Sequence, residues 1–245
     1  MNSADAYVLK ESLRLVESKV HRDFRELENL QNTRGSVDFT NLTVDYLNGR
    51  LYDFFLEKRP KYSVTVKGYG KGGSKNPDGD IYVNSLCGVS NLLHGIPYFA
   101  TAISLKKNGV AALAAVNNYA SNELFLAAQG KGAFINDRRI RVSNRTATDN
   151  VLIAIKQDQS GKLFDKVISQ FRNFEVNNCY VLDFCYTACG RYDASVVFGG
   201  GEEELKLGSL FIVEAGGLCH RMDSGADGTI FSNPLLMDDI KGIIV

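Results

Sequence analysis

The sequence predicts a layered α/β protein in which helices cover sheets without the strict β-α-β alternation of a doubly wound fold. Three observations carry this. Two long stretches near the start repeat apolar residues at helical spacing. The middle of the chain is a run of short strand-like segments bounded by Gly and Asn, and helical patterns return only afterwards. At 245 residues and 44% hydrophobic composition, the chain is long enough to bury a large core. It is expected to form a single unit, 1–245, with approximate lobes 1–145 and 146–245.

Residues 5–31 place Leu9, Leu13, Val16, Val20, Phe24 and Leu27 at three- and four-residue steps, the stripe of an amphipathic helix. A second helix is predicted over 43–58, with Val44, Leu47, Leu51 and Phe54 inward and Pro60 stopping it. Ser63–Val66 reads as a strand, and the Gly-rich polar stretch from Gly68 to Asp80 reads as a loop. Strands follow at 81–83, 100–106, 111–117, 123–128 and 132–135, with another at 151–156. Helices are predicted at 162–174, 179–190 and 203–215, the last closed by Gly216-Gly217, and short strands fill the C-terminus.

Composition sets bounds on function. Lys+Arg and Asp+Glu are equal at 28, so nothing in the overall balance indicates direct nucleic-acid binding. There is no apolar leader and no run of about 18 apolar residues, so neither secretion nor membrane spanning is expected. Five cysteines form no CxxC pair and no Cys/His ligand spacing, which fits reduced thiols in a cytoplasmic protein.

The densest motif is Asn84-Ser85-Leu86-Cys87-Gly88-Val89-Ser90-Asn91-Leu92-Leu93-His94-Gly95-Ile96-Pro97. It resembles the metal-binding signature of the inositol monophosphatase family, D-P-I/L-D-G-T-x-N-F-x-H-G-x-P. Gly88, Asn91, His94, Gly95 and Pro97 keep its frame, while Asn84 and Cys87 stand where its two aspartates belong. Arg22-Asp23-Phe24 and Glu28-Asn29-Leu30-Gln31 resemble the first helix of the bacterial, SuhB-like members. Glu123-Leu124-Phe125, Gly130 to Phe134 and Asn136 to Ser143 resemble the central hairpins. Glu214-Ala215-Gly216-Gly217 and Ser232-Asn233-Pro234 resemble the last helix and a late strand. The resemblance implies an αβαβα sandwich, a homodimer, and hydrolysis of inositol or sugar monophosphates with Mg²⁺.

That chemistry needs hard oxygen ligands, because Mg²⁺ demands near-octahedral oxygen coordination. The family supplies carboxylates where this chain has Lys67, Asn84, Cys87 and Glu204, and a further one where Val44 stands. At the first four positions a formal charge of about −4 becomes about zero, which disfavours divalent cations. If any metal binds, the donors expected are Glu204, Asn84 and the Leu86 carbonyl. Val89 replaces a threonine whose hydroxyl orients water in the family. The resemblance implies phosphate and sugar contacts at Gly88 and at Asn178-Cys179, the latter standing where the family usually has Gly-Ser, and it places Val197 near an inositol-contacting glutamate.

Local readings compete with functional ones. Cys87 with His94 suggests a thiol nucleophile, but no third orienting group is evident, so packing is the favoured role. Glu202, Glu203 and Glu204 read as a charged first helical turn, with Glu204 alone directed into the old site. Lys67 reads as a surface lysine at a loop start or, on the sharper expectation, as an inward ammonium that replaces a metal and pairs with Glu204. Taken together, the residues point to a pseudoenzyme acting as a dimeric scaffold without a cofactor. By family analogy its partners are RNA polymerase and Nus-type proteins in ribosomal RNA antitermination. The alternative is an Mg²⁺-dependent phosphatase with a reduced, rebuilt metal site.

Overall fold

A computed structural model describes residues 3–30, 35–146, 150–156, 162–222 and 228–244. Among them are two sheets and seven helices, and the chain divides into two compact units, Met1–Leu126 and Ala127–Val245.

The first unit opens with α1 (Ala4–Leu30), which buries Leu9, Leu13, Val16, Val20 and Leu27 as its stripe predicts. Gln31 lies outside the described residues. Helix α2 (Ser36–Lys58) begins well before the expected residue 43. Its buried face contains Thr40, Thr43 and Asn48 as well as Leu47, Leu51 and Phe55, so apolar periodicity alone cannot reveal its first turns. The Thr40 hydroxyl returns to the helix backbone, donating to the Ser36 carbonyl at 2.8 Å, while Thr43 Oγ1 lies 3.0 Å from the Phe39 carbonyl oxygen.

Strands β1 (Ser63–Val66), β2 (Gly70–Gly73), β3 (Asp80–Cys87), β4 (Ala100–Lys107), β5 (Val110–Asn118) and β6 (Glu123–Ala128) follow, in sheet order β2-β1-β3-β4-β5-β6. The short helix α3 (Val89–Leu93) leaves the end of β3. Part of the expected 68–80 loop is thus strand: β2 pairs antiparallel with β1, Val66 opposite Gly70. Its glycines hid it from propensity, and tyrosines pack where side chains would otherwise be. A Cβ at Gly72 would overlap the Tyr52 hydroxyl.

The second unit begins with the hairpin β7 (Gly132–Ile135) and β8 (Arg138–Arg139). Its five-stranded sheet has the order β10-β9-β11-β13-β12. The strands are β9 (Leu152–Lys156), β10 (Asn173–Glu175), β11 (Ala194–Phe198), β12 (Leu218–Arg221) and β13 (Gly228–Ser232). The helices are α4 (Lys162–Gln170), α5 (Tyr180–Ala188), α6 (Glu202–Glu214) and α7 (Met237–Ile244).

Two expectations fail here. The helix predicted over 162–174 stops at Gln170, because Asn173–Glu175 pairs in parallel with Leu152–Ala154. The C-terminus is not strand throughout: α7 packs Met237 and Ile240 into the core around Val196, Phe198 and Ile230. The expected stop of α6 is present in full. Gly216 adopts φ 88°, its N–H donates to the Val213 carbonyl, and the Gly217 N–H donates to that of Ile212 at 2.8 Å.

Candidate functional site

The family-signature positions of the first unit cluster at the end of β3. The register of β3 against β4 shifts between Asn84 and Cys87, which face Ala102 and Ala100. This bulge breaks the alternation of a strand, and Asn84, Ser85, Leu86 and Cys87 are buried in succession. Gly88 then takes φ 80°, ψ 39°, a left-handed conformation that turns the chain into α3.

Beneath the bulge lies a buried polar chain. The Ser85 hydroxyl donates to Asn48 Oδ1 at 2.5 Å, and the Thr101 hydroxyl donates to the Ser85 carbonyl at 2.6 Å. The Tyr119 hydroxyl donates to Thr101 Oγ1 at 2.9 Å. Burial pushes the Tyr119 phenol well above its ordinary range.

The donors this strand end offers are the Asn84 amide, the Leu86 carbonyl and the Cys87 thiol. Asn84 and Cys87 are 8% and 6% exposed. No carboxylate is among them, and a thiol is a poor ligand for a hard cation. The set does not fit the magnesium centre that the signature implies. Among the described residues, no group of three or more His, Cys, Asp or Glu side chains is placed to hold a metal ion.

Lys67, one residue beyond β1, is exposed, against the expectation that its ammonium turns inward. Val89 is 39% exposed and brings no hydroxyl. His94 Nδ1 lies 2.7 Å from the Ser90 carbonyl oxygen, which ties the ring to its own turn.

The second unit holds Glu204 at the start of α6. It is 1% exposed and folds back on the helix N-terminus, where a Cβ on Gly201 would overlap its carboxylate. The positive end of the helix dipole favours a carboxylate there. Glu202 is exposed and Glu203 partly buried, both near the Lys206 ammonium, at 2.8 and 3.8 Å.

Asn178 and Cys179 come together with Ile155, Lys156, Val176, Tyr180 and Asp183 around a cavity of about 320 Å³. Asn178 adopts φ 56°, and Cys179 precedes the first turn of α5. Burial pushes the Cys179 thiol far up, which disfavours the thiolate that a nucleophile needs. Lys156 was not singled out by sequence. Its ammonium donates to the Phe198 carbonyl at 2.8 Å and sits 5.7 Å from the Tyr180 ring centre. The one signal available was a lysine closing an otherwise apolar strand. Val197 is buried in β11.

The recognised motifs around Glu214, Ser143 and Asn233 are structural, and Asp193, which no motif singled out, joins them. Glu214 accepts hydrogen bonds from the Gly130 and Gly132 amides at 2.6 and 2.7 Å, joining the end of α6 to the turn before β7. Asp193, 1% exposed, accepts from the Ser143 hydroxyl, the Arg145 guanidinium and the Leu152 amide. Asn233 donates to Ser143 and to the Arg145 carbonyl, and accepts from the Leu235 and Leu236 amides.

Comparison with known proteins decides the family. The sequence profile of the inositol monophosphatase family matches residues 13–242. The chain belongs to that family. It is 31% identical over 215 residues to an inositol-1-monophosphatase of Mesorhizobium japonicum, covering 84% of this chain and 81% of the relative. It is 32% identical over 201 residues to a putative Nus factor SuhB of Neisseria meningitidis serogroup B, covering 78% and 76%. Among solved structures, the extragenic suppressor protein SuhB of Bartonella henselae superposes with a TM-score of 0.88 at 25% identity, covering 99% of both chains. A Thermotoga maritima IMPase, at 23% identity and a TM-score of 0.74 over 82% of this chain and 81% of its own, shares the fold.

Proposed function

We propose that this inositol monophosphatase family member is catalytically silent and acts as a dimeric scaffold in the cytoplasm, through protein partners of the Nus type. The observation that carries the first half is the end of β3, where an amide and a thiol occupy the two signature aspartate positions. A metal pair that clamps the attacking water and the leaving oxygen needs carboxylates to offset its charge. The buried hydroxyl–amide chain under Ser85 is a self-contained packing solution for this strand end. The second half rests on the relatives called Nus factors. No helix among the described residues is long and apolar enough to cross a membrane, which is compatible with such partners.

The cavity beside Asn178 and Cys179 is expected to accept a small polar or anionic ligand without turning it over, Lys156 supplying the charge. Sedimentation of the purified chain tests the dimer: a single species at twice the monomer mass is expected, and a concentration-independent monomer contradicts it. Copurification of this chain with defined Nus proteins, unaffected by Glu204→Ala, tests the scaffold. Loss of the complex in that variant contradicts a role separate from the old site.

A further inference from the structure

The zero net charge of this chain conceals a strongly segregated one. Between Lys58 and Pro77 lie six cations (Lys58, Arg59, Lys61, Lys67, Lys71 and Lys75) and no anion, leaving 22 cations against 28 anions elsewhere. The fold gathers most of this segment into one hairpin. β1 and β2 pair with Val66 opposite Gly70, so Lys67-Gly68-Tyr69 is the tip, with Gly68 at φ 70°. Lys71 follows on β2, at the edge of its sheet.

Arg59 is paired with Asp5 at 3.1 Å and Lys58 with Glu57 at 3.7 Å. Lys61, Lys67, Lys71 and Lys75 are all exposed. The acids flanking the segment in the chain are Asp53 and Glu57 on α2 and Asp78 and Asp80 downstream, Asp80 standing opposite Ser63 of β1. Between the lysines of the tip stands Tyr69, 51% exposed and braced by Tyr52 in a T-shaped contact at 5.7 Å. Gly49 and Gly72 give the two rings room, with a Cβ at Gly49 already 3.4 Å from the Tyr69 hydroxyl.

We propose that the β1–β2 hairpin is a docking surface for a single-stranded polynucleotide, with Lys67, Lys71 and Lys75 on phosphates and Tyr69 stacking on a base. Cations that track a backbone around an aromatic platform are the means by which proteins hold single strands without reading sequence. A braced ring loses little freedom on stacking, which is why Tyr52 matters. An acidic peptide would use the lysines but not the ring. A membrane would ask for more apolar surface than a tip of Gly, Lys and one Tyr provides. The hairpin shares Lys67 with the altered ligand positions, but its binding is read by RNA affinity alone, which catalytic silence neither requires nor predicts.

The test is fluorescence anisotropy of a labelled oligouridylate RNA of about 12 nucleotides with the full chain at low salt. Saturable binding is expected. Replacing Lys67, Lys71 and Lys75 together by Gln should weaken it at least about ten-fold and flatten the dependence of log K on log salt by roughly 2. Tyr69→Ala should weaken it about five-fold or more with the salt slope unchanged. Unchanged melting curves would show that both variants fold. Absence of binding, or equal affinity in the triple variant, overturns the proposal. So does an unaltered affinity in Tyr69→Ala, or polyglutamate or phosphatidylserine vesicles competing as well as unlabelled RNA.

Discussion

At position 87 a thiol lies where the family places a carboxylate, and the surroundings suit the thiol. Cys87 is 6% exposed, at the end of a strand bulge floored by the Ser85, Thr101 and Tyr119 hydrogen bonds. A carboxylate buried there without a metal would be raised in pKa and poorly compensated. Cys87→Asp is therefore expected to cost about 2–4 kcal/mol at pH 7. The cost should shrink near pH 4, because a group whose folded pKa is raised loses stability as pH climbs through its unfolded value. Urea denaturation at the two pH values measures this, and equal costs would contradict it. The same sign governs the buried acids already present. Burial pushes the Cys219 thiol up to about 12 from an ordinary 9.0, and raises Cys179 and Tyr119 as well. The unfolded chain releases these protons from about pH 8.5 upward while the native chain keeps them. Stability should thus fall steadily above about pH 8.5, and a denaturation midpoint that is flat to pH 10.5 would refute it. The altered signature positions were legible in sequence, because Gly88, Asn91, His94, Gly95 and Pro97 fixed the register around Asn84 and Cys87. Lys156 was not, since only folding brings it beside Asn178 and Tyr180.

Elements were read well where burial follows apolar residues and poorly where polar ones are buried. The stripe of α1 and the glycine stop of α6 lay open to sequence reading. The first turns of α2 did not, because Thr40 and Thr43 face inward, Thr43 donating to the buried Asp23 carboxylate at 2.7 Å. Strand β2 escaped because it is built of glycines, with Tyr52 of α2 lying where a Gly72 side chain would stand, and β10 because its pairing with β9 is decided in three dimensions. Conserving element junctions is the role of Glu214, which holds two backbone amides of the turn before β7. Glu214→Ala should lower stability by about 1–3 kcal/mol, the range for charge-assisted bonds, with the loss visible as a lower melting temperature. An unchanged melting temperature would show that water replaces the carboxylate at no cost. At Gly132, where φ is 97° and a Cβ would stand 2.8 Å from the Arg139 guanidinium, alanine adds backbone strain to crowding. A comparable loss is expected in Gly132→Ala, and a rise in stability would contradict the strained geometry.

For the whole molecule, family membership and the side chains at the signature positions point in different directions. The fold of the inositol monophosphatases is kept from α1 to α7, with 99% of the chain covered in superposition on the Bartonella SuhB. Yet β3 ends in donors that do not suit Mg²⁺, while Glu204 is buried against the start of its own helix. A fold can outlive the chemistry it once carried, since packing and catalysis are held by different residues. The hairpin shows the same separation, as a basic segment lies within a chain of zero net charge, beyond the reach of any whole-sequence balance. The most direct measurement is phosphate release from inositol 1-phosphate in millimolar Mg²⁺, run beside Glu204→Ala and with melting curves recorded with and without the metal. The account predicts no turnover above background in either protein and no Mg²⁺-dependent shift in melting temperature. Turnover in the native chain that disappears in Glu204→Ala, with stabilisation by Mg²⁺, would contradict it and establish a rebuilt metal site.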